Sequence, residues 1–301
     1  MEFKNIAVLG TGTMGSTIGT ICLKMGFECT IYGRSEGSLN KAKEFIEKEL
    51  MYEKEKMNNL KLVKSFEDLE NCDFVIEALA EDLEIKRKIF NELDERMRDE
   101  VVLASTTSGL LPTDIAKNMK HKERFIIAHF WNPAHLIPLV EVVPGEGTSK
   151  ETIEKTMEVL NRLNKKPIPM EKECKGFIGN RIQLAMLREA MYIVEQGYAT
   201  IENVDKAVEY SIGRRLPVTG TLKSCDLGGT DIFKNVSSYL FQDLCDYKEE
   251  SKTLKDLVEE GKLGSKSGEG FYKWDSENLE KVNQKRNEVL NYFNNQDKIR
   301  D

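Results

Sequence analysis

An α/β domain built on a mostly parallel sheet, followed by an all-helical domain, is what the sequence predicts. Three observations point to it. Short β-rich apolar runs alternate with amphipathic stretches through the first half of the chain, the signature of βαβ units. A Gly10-Thr-Gly12-Thr-Met-Gly15 turn joins the first run to the first helical stretch. After Gly176 the strand-like alternation nearly vanishes and helical spacing takes over.

The elements follow in order. Asn5–Leu9 is a compact apolar strand, and residues 13–25 form a helix closed by Gly26 at C′. Glu28–Tyr32 is the second strand. Residues 38–57 read as a long charged helix with Phe45, Ile46 and Leu50 as its buried stripe. Residues 73–79 form a central strand and 84–97 a helix; 101–104, 125–129 and 139–143 are further strands. Residues 148–163 form an amphipathic helix opened by a Thr/Ser cap. Pro167 and Pro169 mark a last extended segment. Beyond it, 177–196 carries Leu184, Leu187, Met191 and Val194 at helical spacing, and further helices fit 201–211, 230–246 and 253–260. The expected division is 1–173 for the α/β domain and 174–301 for the helical one.

Composition narrows the function. The 301 residues carry 44 Lys+Arg against 51 Asp+Glu, a net charge of −7, which argues against nucleic acid or an anionic membrane as main partner. The longest apolar runs are too short to span a bilayer, and the N-terminus lacks the apolar core of a secretory signal, so a cytoplasmic protein is expected. Cys22, Cys29, Cys72, Cys174, Cys225 and Cys245 include no CxxC pair and read as reduced thiols. Acidic residues are not grouped at ligand spacing, and no metal site is expected.

The glycine turn supplies the first chemistry. Between a strand and a helix, the first glycine permits the tight turn, the second lets backbone approach a pyrophosphate, and the third lets helix pack on strand. Gly10, Gly12, Thr13, Met14 and Gly15 are thus expected to form a dinucleotide cradle, against the alternative of a purely structural glycine turn, and the expected fold becomes Rossmann-type. At the end of the second strand an NAD site normally offers Asp or Glu to the ribose 2′-OH; here the chain reads Gly33-Arg34-Ser35. Without the carboxylate a 2′-phosphate is not repelled, and Arg34 with Ser35 can bind it, so NADP(H) is expected ahead of NAD(H). Arg34 stacked on adenine or lying in solvent is the alternative.

Three histidines narrow the choice of acid/base. His121 lies in a charged stretch and reads as solvated; His135 is either a loop residue or a substrate contact. His129 closes the apolar run Phe125-Ile-Ile-Ala, at the carboxyl end of a strand, where ligands sit in such sheets. Glu141 lies in the apolar run Pro138-Leu-Val-Glu-Val-Val143, where a carboxylate is costly unless paired. His129 is the partner that suits it, against the alternative of an ordinary buried histidine.

Further blocks recur in a fixed order: Ser105-Thr-Thr-Ser108, His129-Phe-Trp-Asn132-Pro133, Leu139-Val-Glu141-Val, Gly176-Phe-Ile-Gly-Asn180-Arg181 and Gly268-Glu-Gly270-Phe-Tyr272. Together with the glycine turn they resemble the L-3-hydroxyacyl-CoA dehydrogenase family, which includes 3-hydroxybutyryl-CoA, L-gulonate and L-carnitine dehydrogenases. The resemblance spans nearly the whole chain. It implies that His129 is the general base, that Glu141 orients it, and that Ser108, Asn180 and Asn132 hold the substrate oxygen. It implies further that Glu81 and Lys86 lie near the nicotinamide and that the helical domain forms a homodimer. The sequence departs from the acyl-CoA members at three places. Gly33 replaces the acidic residue, Pro138 stands where they usually carry Lys, and the segment from Glu36 to Cys72 is shorter than in those enzymes, where a helical hairpin in this region helps hold CoA. Lys54 and Lys56 are then either contacts to a CoA phosphate or a solvated helix face. The expected substrate is a 3-hydroxyacyl thioester or a free 3-hydroxy acid of the gulonate or carnitine kind. The remaining alternatives are a β-hydroxyacid dehydrogenase, whose lysine base has no fitting counterpart beside Gly176 to Asn180, and a non-catalytic dinucleotide-binding relative.

Overall fold

A computed structural model describes residues 3–300, apart from the side chains of 298–300. The chain divides into two compact units, residues 1–180 with 287–301, and residues 181–286.

The first unit holds an eight-stranded sheet, β1 (Asn5–Leu9), β2 (Glu28–Tyr32), β3 (Leu60–Val63), β4 (Phe74–Glu77), β5 (Val102–Ser105), β6 (Phe125–Phe130), β7 (Leu139–Pro144) and β8 (Lys166–Pro169), in the order 3-2-1-4-5-6-7-8. All neighbours are parallel except β6 and β7. Helices α1 (Thr13–Lys24), α2 (Glu36–Glu49), α3 (Leu83–Arg96), α4 (Pro112–Ile115) and α5 (Lys150–Arg162) connect the strands. The central strands are apolar on both faces because both are covered. Ile6, Val8, Ile126 and Ala128 belong to one apolar layer with α1, α2 and α5; Ala7, Leu9, Phe125 and Ile127 belong to the other with α3 and α4.

The second unit contains most of α6 (Gly179–Glu195), then α7 (Ile201–Tyr210), α8 (Ile212–Gly228), α9 (Thr230–Leu240) and α10 (Lys252–Glu259). The last helix, α11 (Ser276–Arg300), starts in the second unit and ends in the first. No helix of the described residues is long and apolar enough to cross a membrane.

Several expected boundaries move. Residues 38–57 are not one helix: Ser35 caps α2 by accepting from Ser38 N–H (3.3 Å), the helix ends at Glu49, and a separate 3₁₀ turn covers Lys54–Asn59. Phe177 lies outside α6 because its φ is +54°, a left-handed conformation a helix cannot contain. α8 was not anticipated; it holds Pro217, and Gly220 (φ +62°) breaks it into two stretches. The C-terminal part of α11 groups with the sheet, whereas the sequence expectation placed all of 174–301 in the helical domain.

Candidate active site

The carboxyl edge of the sheet carries the polar residues. At its β1 end the glycine turn is shaped by contact. Gly10 sits at φ +129°, and a Cβ there would strike the Ala78 carbonyl. A Cβ on Gly15 would strike Gly10 itself, whereas beside Gly12 there is open space. Gly12 opens α1 without any side-chain cap, so the first-turn N–H groups are left for a ligand. The residues present fit a dinucleotide pyrophosphate on those grounds.

At the end of β2, Gly33 is also fixed by packing: a Cβ would come within 2.6 Å of Thr11 Cγ2 and 2.8 Å of Leu39. A side chain there, acidic or otherwise, requires both neighbours to move. Arg34 and Ser35 are exposed, and Ser35 Oγ is engaged as the α2 cap.

Across β6 and β7, the antiparallel register sets His129 opposite Glu141. His129 Nδ1 lies 2.8 Å from Glu141 Oε2, with both side chains buried. The indole N–H of Trp131 donates to the same oxygen at 3.1 Å. The other oxygen, Oε1, accepts the backbone N–H groups of Ile178 (2.8 Å) and Gly179 (3.0 Å), at the start of α6. Burial alone would raise the Glu141 carboxyl, but hydrogen bonds from His129, Gly179, Ile178 and Trp131 outweigh it and hold it below the usual range. With the carboxylate at Nδ1, that nitrogen carries the proton and Nε2 is left as the acceptor. The rings of Trp131 and Phe177 flank the imidazole at 5.6 and 5.3 Å.

One residue into α6, Asn180 donates its Nδ2 to the Ser108 carbonyl at 2.9 Å. The structure thus brings together two pairs, His129 with Glu141 and Asn180 with Ser108. Asn132 is exposed on the loop after β6. His121 pairs with Glu123 (3.2 Å), and His135 lies on a different cavity, described below.

Glu77, at the end of β4, is a polar residue the sequence reading passed over. It has no exposed surface, and both oxygens lie 2.8 Å from Lys86 Nζ. It also accepts from Ser105 Oγ (2.6 Å) and Leu79 N–H (2.6 Å). Lys86, 1% exposed, lies 3.5 Å from Glu81 Oε2, while Glu81 Oε1 accepts from Thr107 Oγ1 and from Ser108 N–H (3.0 Å). The available signal was the one that picked out Glu141, a carboxylate inside an apolar strand. Lys56 is not free either: it bridges Glu53 and donates to the Lys24 carbonyl at 2.6 Å.

Comparison with known proteins places this geometry. The model of the 3-hydroxyacyl-CoA dehydrogenase NAD-binding domain matches residues 5–174, and that of the C-terminal domain residues 176–274. A 3-hydroxybutyryl-CoA dehydrogenase of Clostridioides difficile is 33% identical, over 89% of this chain and 98% of that protein. An L-carnitine dehydrogenase of Oceanobacillus iheyensis is 34% identical, over 75% and 76% of the two chains. Among solved structures, a 5-formyl-3-hydroxy-2-methylpyridine 4-carboxylic acid 5-dehydrogenase, described as an NAD+-dependent dismutase, superposes with a TM-score of 0.87 at 27% identity, covering 96% of each chain.

Proposed function

Because the chain belongs to the 3-hydroxyacyl-CoA dehydrogenase family and is an oxidoreductase of that type, we propose that it interconverts a 3-hydroxyacyl substrate and its 3-oxo form with His129 and Glu141 as the acid/base dyad. Gly10, Gly12, Thr13, Met14 and Gly15 would hold the pyrophosphate of a nicotinamide dinucleotide, which when bound would supply hydride exchange at C3. His129 Nε2 takes the hydroxyl proton in oxidation and returns it in reduction, a contribution of about 10²–10⁴ in rate. Glu141 fixes the tautomer and stabilises the imidazolium. Ser108 and Asn180, with Asn132 at the rim, hold the substrate oxygen; comparable donors contribute roughly 3–4 kcal/mol. Glu81 faces the nicotinamide side, and Lys86 acts there through Glu81, its own ammonium being buried. The observation that carries this reading is Glu141, one oxygen of which holds His129 while the other holds the α6 start beside Asn180.

Gly33-Arg34-Ser35 supports a preference for NADP(H). Gly33 brings no carboxylate to repel a 2′-phosphate, a side chain there would require Thr11 and Leu39 to move, and exposed Arg34 is available to the phosphate. A homodimer is supported by the second unit, where Leu222 (84%), Leu227 (75%) and Phe241 (73%) are exposed apolar side chains on and beside α8 and α9. A cytoplasmic setting fits six free cysteines.

One feature favours a second reading, in which the substrate is a free hydroxy acid. Only the short 3₁₀ turn Lys54–Asn59 stands between α2 and β3, where the acyl-CoA enzymes carry a hairpin, and Lys56 is already engaged. Steady-state reduction of acetoacetyl-CoA, run with NADPH and with NADH, tests both points. Turnover is expected, with kcat/KM about tenfold higher for NADPH, a difference of ~1.4 kcal/mol. No turnover while dinucleotide still binds selects the free acid; equal or better kcat/KM with NADH rejects the role given to Arg34.

A further inference from the structure

A cavity of about 310 Å³ in the first unit lies where α1 ends, beside the loop between β6 and β7 and the final turns of α11. Lys24, His135 and Lys165 line it, with Asn291, Asn294 and Asn295. Lys165 is only 7% exposed, and among the described residues its ammonium has carbonyl partners alone, Ala134 and Ile137 (3.4 Å). A buried ammonium without a counter-charge is costly. Burial accordingly pushes Lys165 down to about 8. Lys24 makes no ion pair among the described residues. His135 is pulled down by burial first and then by Lys165 and Lys24, with Glu49 opposing them. Among the described residues Asp297 is the one acidic side chain in the lining. The negative end of α1, which would disfavour an anion, is partly covered: the Lys24 carbonyl accepts the Lys56 ammonium.

We propose that this cavity is a binding site for a phosphate-class oxyanion, held by Lys24, Lys165 and His135, with amide N–H groups of Asn291 and Asn295 completing the shell. Those two amides make no hydrogen bond within the described residues, whereas Asn294 donates to the Leu136 carbonyl at 2.8 Å and holds α11 against the loop. The asparagines lie beyond residue 274, where the match to the family's C-terminal model ends. The site is separate from the His129–Glu141 dyad, although its loop connects the two strands that carry them. The anion is either free or borne by a larger organic phosphate, and the chemistry of recognition is the same.

The chain has 3 histidines, which makes the test direct. Inorganic phosphate is titrated into the full-length protein at constant ionic strength in chloride, and the imidazole resonances are followed by NMR. One resonance, assigned by its loss in His135→Gln, is expected to shift saturably and to titrate at higher pH once the anion is bound, while those of His121 and His129 stay in place. Lys24→Met, which removes no internal hydrogen bond, is expected to weaken binding about tenfold; Lys165→Met is the stronger variant but also releases the loop carbonyls. A His135 resonance that stays still, that moves without saturating, or that binds equally in Lys24→Met overturns the site. Repeating the titration with coenzyme A separates the sources. Saturation well below the phosphate concentration identifies an organic phosphate, and the reverse identifies the free oxyanion.

Discussion

Glu141 serves four hydrogen bonds from full burial, and His129 is the only titratable partner among them. Two outcomes follow at this scale. His129→Ala should lower kcat about 10³-fold while leaving dinucleotide affinity within about twofold, because the imidazole is assigned to proton transfer and not to the cradle. Steady-state rates with a fluorescence titration of the reduced cofactor check both halves; a variant keeping most of its rate removes His129 from the mechanism. The second outcome concerns acid. Since the folded-state carboxyl of Glu141 is held below its unfolded value, its ionisation stabilises the protein at neutral pH, and that stability is lost as pH falls through the ordinary carboxylate range and below. Denaturant midpoints between about pH 7 and pH 3 should therefore fall less steeply in Glu141→Gln than in the parent.

Strand β4 and helix α3 are joined by the Glu77–Lys86 pair, and removing one partner strands a buried charge. Glu77→Gln should cost about 3–5 kcal/mol, most of which Glu77→Gln/Lys86→Met should recover. Thermal unfolding reads this, and a double variant no more stable than the single one refutes the pairing account. How well such elements could be anticipated depended on local chemistry. The β1–turn–α1 unit was legible almost to the residue, because an apolar strand, three spaced glycines and a terminal Gly26 all agree. β3 was missed because Leu60-Lys-Leu-Val63 is four residues at the sheet edge, too short to show a period. α8 was missed because Gly213, Pro217 and Gly220 each argue against a helix that the surrounding unit nevertheless supports. The His129–Glu141 contact was anticipated because a carboxylate in an apolar run demands a partner. Glu77 posed the same demand, but its partner waits on the following helix, and pattern alone does not join the two.

For the whole molecule, the exposed apolar side chains around α8 and α9 make association the testable property. Sedimentation velocity should find a dimer, and Leu222→Glu should shift it toward monomer at micromolar concentration, since a charge buried at such a face is strongly disfavoured. A parent that sediments as a monomer rejects the dimer.

The chain leaves the first unit after Asn180 and returns at Asn287, so the helical unit is a loop with both ends tied to one folded body. Unfolding that unit alone releases a closed loop of roughly a hundred residues rather than a free tail. The lost freedom of its unfolded state corresponds, in the chain-entropy model, to about 4–5 kcal/mol, the scale of a long-range disulfide. A protein whose cysteines are all free thus closes a long loop by packing the end of its last helix with the sheet, and cutting the chain after Arg286 would open it.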